Sequence, residues 1–214
     1  MAQTLFKKYF VDDIDPENLP EGWRWGKLGE LCDLNIKTLS KNDKLDWINY
    51  IEISEVSQGY IGNVSRYKRG AEPSRARRII NHGDTILSTV RPDRGSYFLS
   101  INPEQDLLVS TGFAVFTPSK APFSFVYLFL TQEESIRYYG FMAHGAAYPA
   151  ISPEIILNME VPIPPNEIFD EFHSNVEALL FKFDLNIKES KYLSQIRDSL
   201  LPKLMNGELE VPAP

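Results

Sequence analysis

The chain has 214 residues, 43% of them hydrophobic and 24% charged, enough apolar content for a packed core in one medium domain with an appendage, or in two small domains. No stretch approaches the roughly 20 consecutive apolar residues of a membrane helix, and residues 1–13 lack the apolar core of a signal peptide, so membrane and secreted classes are set aside. The net charge of −7 argues at first against nucleic acid, yet residues 66–78 hold five Arg, one Lys and one Glu, about +5, which leaves about −12 for the rest. An acidic body with one basic face is compatible with DNA, because affinity follows local basic surface and not the total. The acidic remainder also suits basic partner subunits. The single cysteine, Cys32, has no internal partner; it reads as a small buried hydrophobe and fits a reducing, cytoplasmic setting.

In chain order, residues 1–18 form a short amphipathic piece with Leu5, Phe6, Tyr9 and Phe10 at near-helical spacing, followed by an acidic linker. Residues 19–165 hold short β-type runs broken by Gly, Pro, Asn and Asp, such as Trp47–Ile53, Asp84–Val90 and Gly112–Phe116. A helix is expected over Phe123–Tyr139. The Pro-rich run Met159–Pro165 reads as an edge strand closing this part, since proline cannot donate to a ladder. Residues 166–206 read as one long helix, and 208–214 as a tail. The expected fold class is mixed α+β: a largely β globular domain with short helices, followed by a long coiled-coil helix.

On that helix Phe169, Phe172, Val176, Leu179 and Phe183 follow 3–4 spacing. The frame continues through Asn186 and Ser190 to Leu193, Arg197, Leu200 and Leu204. Apolar ends with a polar middle resemble a coiled-coil seam, so Phe172, Val176, Leu179, Phe183, Leu193, Leu200 and Leu204 are candidate subunit or dimer contacts. The alternative is a helix packed on its own domain. About 40 residues span roughly 60 Å, which favours projection beyond a domain of this size. Pro202 is expected to kink or end the helix, and Asn206-Gly207 to stop it.

Catalytic signatures do not emerge. A methyltransferase needs a glycine-rich cofactor loop and an Asn/Asp-Pro-Pro-aromatic loop for the flipped base. Ile163–Asn166 has the prolines without the flanking residues, and reads as a strand end. There is no phosphate-binding Gly-Lys-Ser/Thr loop. His82, His144 and His173 lack paired ligand spacing and read as surface or turn residues, so no metal and no cofactor is expected. A nuclease hidden in scattered carboxylates, a stand-alone methyltransferase and a non-DNA-binding coiled-coil adaptor remain the alternatives.

Five segments, in order and spacing over nearly the whole chain, resemble the specificity subunit of type I restriction–modification systems. They are Leu19–Trp23, Gly83–Pro92 with its Gly-Asp turn and Arg-Pro exit, Ser110–Phe116, Gly145–Ser152 with the following Val-Pro-Ile-Pro-Pro, and Arg197–Glu208. Asn166-Glu-Ile departs from the Glu-Gln pair that often opens the family's helix. The resemblance implies a non-catalytic, prokaryotic DNA-recognition subunit with one target-recognition domain and its distal conserved helix. Residues 5–12 resemble the tail of the family's central helix, so the expectation is a C-terminal half or a half-length subunit. Implied partners are double-stranded DNA, adenine-N6 methyltransferase subunits, ATP-dependent restriction subunits, and a second copy through the helix.

Candidate DNA-binding residues are Arg66, Lys68, Arg69, Arg75, Arg77 and Arg78 of the basic run, Arg91 and Arg94 at the strand exit, and Tyr148 in a small-residue loop. The alternatives are a solvated loop for the basic run, an acid-paired structural arginine for Arg91, and a packed turn aromatic for Tyr148.

Overall fold

The computed structural model describes residues 1–12, 14–145 and 147–208, so the expected 208–214 tail lies almost wholly outside the described residues. The chain opens with helix α1 (Ala2–Phe10), then strands β1 (Arg24–Lys27) and β2 (Cys32–Leu34). β3 (Trp47–Ile51), a hairpin of β4 (Val56–Ser57) and β5 (Tyr60–Ile61), and β6 (Ser65–Lys68) follow. Next come β7 (Ala76–Ile79), β8 (Thr85–Ser88), β9 (Tyr97–Leu99), β10 (Leu107–Ser110) and β11 (Phe113–Pro118). The last part holds α2 (Phe123–Leu130), α3 (Glu133–Met142), α4 (Pro153–Leu157), β12 (Glu160–Ile163) and the 40-residue α5 (Asn166–Met205).

Two four-stranded sheets, ordered β6-β3-β10-β7 and β2-β11-β8-β9, pack face to face; among the described residues only β3 and β10 run parallel. Strand alternation explains the layering. Ile51 and Val109 of one sheet meet Ile86, Phe98, Phe113 and Val115 of the other. The neighbouring positions point the opposite way. Ile48, Tyr50 and Leu108 pack under Leu39 and the loop around it. Leu87, Ala114 and Phe116 pack under the helices.

The helical layer is closed by aromatics. Phe6 and Phe10 of α1 reach Phe125 of α2 and Phe172 of α5, with edge-to-face pairs at 4.8 Å for Phe10–Phe125 and 4.9 Å for Phe10–Phe172. The first ten residues thus belong to the main core. Cys32 is buried there, and desolvation pushes its thiol up to about 12, so it stays protonated.

The expected 123–139 helix is two. α2 ends where the Thr131 hydroxyl donates to the Tyr127 carbonyl at 2.7 Å, and Gln132 adopts extended backbone before α3 begins with Glu133 and Glu134. Those acidic residues favour a new helix N-terminus over a continuing helix. Among the described residues β12 pairs only with β1, as expected of an edge strand, with Pro162 opposite Trp25. Pro202 lies inside α5 and does not end it. It forfeits one hydrogen bond three residues before the terminus, and Gly207, at φ 69°, follows the stop. Among the described residues no helix is long and apolar enough to cross a membrane.

α5 divides into two halves. Phe169, Phe172, Val176 and Leu180 are buried in the chain's own core. Phe172 and Val176, expected at a subunit seam, are therefore unavailable to a partner, because one periodic stripe serves the domain first. Leu179 is half-buried. Phe183 lies beside Gly59, where an added Cβ would meet its ring at 3.0 Å. Lys191 donates to the carbonyl of Gly62, next to the hairpin. Beyond it Leu193, Leu200 and Leu204 are exposed.

Candidate nucleic-acid interface

The basic run is not one loop. Arg66 and Lys68 stand on edge strand β6, opposite Asn49 and Trp47 respectively. The Arg66 guanidinium lies over the Trp47 ring at 4.7 Å. Arg69 is committed to Glu72 at 2.8 Å and to the Ser40 carbonyl at 2.7 Å. Burial would raise the Glu72 carboxyl, but backbone N–H donors at Glu72 and Gly70 and the Arg69 cation hold it below its ordinary value. Arg77 turns back through Nε to the Ser74 carbonyl at 3.2 Å. Arg78, on β7, is half-buried and leans on the Thr38 hydroxyl at 3.4 Å. Arg75 is exposed just ahead of β7. The +5 run is thus spread over two edge strands and the connection between them.

A second set of residues converges at one end of the sheets. β8 runs out into Thr89, whose N–H donates to the Gly112 carbonyl at 3.0 Å and whose carbonyl accepts from Ile151 at 2.9 Å. Thr111, next to Gly112, donates to the Arg75 carbonyl at 2.9 Å. Arg91 donates its N–H to the Pro149 carbonyl at 2.7 Å. This chain of backbone bonds joins Arg75, the β10–β11 turn, the β8 exit and the 144–151 loop into one ledge. Gly112 packs closely there: a Cβ would fall 2.3 Å from Ile53 Cδ1, so the end of the Ile53 side chain would have to move.

On the ledge Arg91 holds a left-handed backbone, φ 46° and ψ 56°, and leads into the turn Pro92–Arg94. Its Nη2 donates to the Ala147 carbonyl at 3.0 Å, and its guanidinium lies 4.9 Å from the centre of the Tyr148 ring. Tyr148 is 72% exposed. Arg91, Arg94 and Tyr148 border a recess of about 330 Å³, together with Ser54, Ser57 and Ser96. Among the described residues neither arginine pairs with a carboxylate.

The three serines and Trp47 escape a motif-based reading. The serines come from two separate segments that only folding unites. Trp47 left a weak trace, as a large aromatic opening a strand on the opposite parity from Ile48 and Tyr50. The histidines lie apart. His82 stacks on Phe181, His144 pairs with Ala150, and His173 contacts Ser124 and Glu177.

Two sheets in face-to-face contact, capped by helices and extended by a 40-residue helix, define a mixed α+β domain with a projecting arm. Residues 20–196 match the type I restriction modification DNA specificity domain, and the chain belongs to that family. It is 24% identical to the type I restriction enzyme MjaIX specificity subunit of Methanocaldococcus jannaschii, covering 99% of this chain and 52% of that one. It is 28% identical to the HindI specificity subunit of Haemophilus influenzae over 60% of this chain and 29% of the other. The chain thus spans about half, or less, of the relatives it matches. Among solved structures, a chain from work on complex assembly and conformational transition of the type I R-M system superposes with a TM-score of 0.65 at 27% identity. That match covers 92% of this chain and 53% of the other. The HsdS subunit from Thermoanaerobacter tengcongensis gives 0.58 at 26% identity, covering 94% and 54%.

Proposed function

We propose that this chain recognises DNA sequence for a type I restriction–modification system, reading one half of a bipartite target and catalysing nothing itself. The observation that carries this reading is the ledge: Arg91, Arg94 and Tyr148 border one recess at the end of the sheets, and main-chain bonds through Thr111 tie Arg75 to the same ledge. Cations without carboxylate partners on a rigid strand-end scaffold suit phosphate and base-edge contacts. Arg66 and Lys68, beside Trp47, extend the basic surface along the edge strand.

The distal half of α5 bridges partner subunits in this reading. Its exposed Leu193, Leu200 and Leu204 supply an apolar stripe that a helix in water leaves unsatisfied. The partners are adenine-N6 methyltransferase subunits, the ATP-dependent restriction subunits and, through an antiparallel pairing of α5, a second copy of this chain. Such a dimer would place two recognition domains at opposite ends of a paired helix and read a palindromic site.

The test combines binding with chemistry. The purified chain is expected to shift duplex DNA at low salt and to transfer no radiolabelled methyl group. Methylation at adenine N6 is expected only after a methyltransferase subunit is added. Turnover by the chain alone, or the absence of any duplex binding, overturns the reading.

A further inference from the structure

The recess beside Arg91 has a chemistry of its own. Its polar lining residues are Arg91, Arg94, Ser54, Ser57, Ser96 and Tyr148, and among the described residues no Asp or Glu lines it. Glu55 and Asp93, adjacent in sequence to lining residues, do not border it. Glu55 accepts the Asn63 N–H at 2.7 Å on the hairpin, and Asp93 lies against Gly140 of α3, where an added Cβ would be 3.1 Å from the aspartate Cβ. Ile53, Val56 and Val90 supply the apolar part of the lining. Arg91 spends one of its five N–H donors on Ala147, which fixes the guanidinium plane and leaves the rest of the fork open.

We propose that this recess is a seat for one backbone phosphate of DNA, with Arg91 and Arg94 supplying the charge, the serines supplying neutral donors, and Tyr148 the rim. The proposal rests on the DNA-recognition reading and adds to it the class of contact made here. A phosphate presents only acceptors and protrudes from the duplex, so it fits a concave site lined with donors. A base edge lies on a groove floor and is met by side chains that protrude. The seat therefore sets the position of the domain on the duplex and carries no sequence information.

The full chain is titrated with its target duplex and with random duplex across a salt series. Arg94→Ala combined with Ser57→Ala is expected to weaken both by a similar factor, about tenfold, and to reduce the salt slope by about one. Arg94→Lys should retain the slope. Duplexes carrying a neutral methylphosphonate at single positions supply the decisive arm. One position should cost the wild-type chain about tenfold and cost the Arg94→Ala chain nothing further. A loss confined to one base pair with an unchanged slope identifies a base reader and overturns the seat. Coupling of Arg94 to no methylphosphonate position also overturns it, even when inorganic phosphate binds the recess, since the site then serves a free anion. Wild-type chain that binds no duplex defeats the recognition reading itself, a result distinct from the other two.

Discussion

Phe10 and Phe172 stand 162 positions apart in sequence and meet edge to face, their ring centres 4.9 Å apart. The contact ties the first helix to the proximal half of the long one, with Phe6, Phe125 and Phe169 packed around it. The root of the arm is therefore core. Phe172→Ala is expected to destabilise the chain by about 3–5 kcal/mol, the range for removing a buried aromatic ring. Leu200→Ala, on the exposed distal half of the same helix, should change the unfolding free energy of the monomer by less than about 0.5 kcal/mol. Chemical denaturation of both variants checks the division; equal losses would refute it.

The distal half is where self-association is to be sought. Asp at Leu193 and Leu200 should dissociate a dimer while leaving the unfolding midpoint of the domain in place. Asp at Leu179 and Phe183 is a less clean probe, because Phe183 touches Gly59 and the half-buried Leu179 adjoins the core, so domain stability falls as well. Sedimentation over a range of micromolar concentrations decides. A wild-type chain that stays monomeric throughout removes the second copy from the proposal.

For the basic run, replacing Arg75, Arg77 and Arg78 together by Ala should weaken DNA binding and flatten its salt dependence. Most of the effect is expected from Arg75. It is exposed beside the ledge, whereas Arg77 and Arg78 already hold the Ser74 carbonyl and the Thr38 hydroxyl. Anisotropy titrations of the single and triple variants test the ranking. An unchanged affinity and slope in the triple variant takes the whole run out of the interface.

Asp84, in the Gly-Asp turn that feeds β8, is completely buried. Desolvation raises its pKa against the hydrogen bonds it receives from the Asn81 backbone N–H at 2.6 Å and the Asn81 side-chain amide at 3.4 Å. A folded-state value above the unfolded one means that the protonated carboxyl favours the fold. That contribution is full below the unfolded pKa and fades as pH rises through the folded one. Asp84→Asn keeps an acceptor for Asn81 and removes the titration. The thermal midpoint of the variant should gain on wild type as pH climbs from the acid range towards neutrality. A constant difference between the two across that range would count against the assignment.

Much of this protein was legible in one dimension. Short β-type runs bounded by Gly, Pro, Asn and Asp marked the strands around Trp47, Asp84 and Gly112. The 3–4 period gave the long helix almost to the residue, Asn206-Gly207 marked its stop, and five ordered segments pointed to the family that residues 20–196 match. Those features are local, set by backbone geometry and by neighbours a few positions away. Tertiary structure decided the rest. Periodicity says that a helix has an apolar face but not what covers it. Phe172 and Val176 went to the chain's own core, and Leu193, Leu200 and Leu204 to the surface. A run of arginines fixes charge but not its partners; Arg69 met Glu72, while Arg75 reached the ledge through Thr111. Arg91 and the Ala147 carbonyl lie 56 residues apart and become neighbours only because two strands and a loop end at the same edge, a juxtaposition no local pattern encodes.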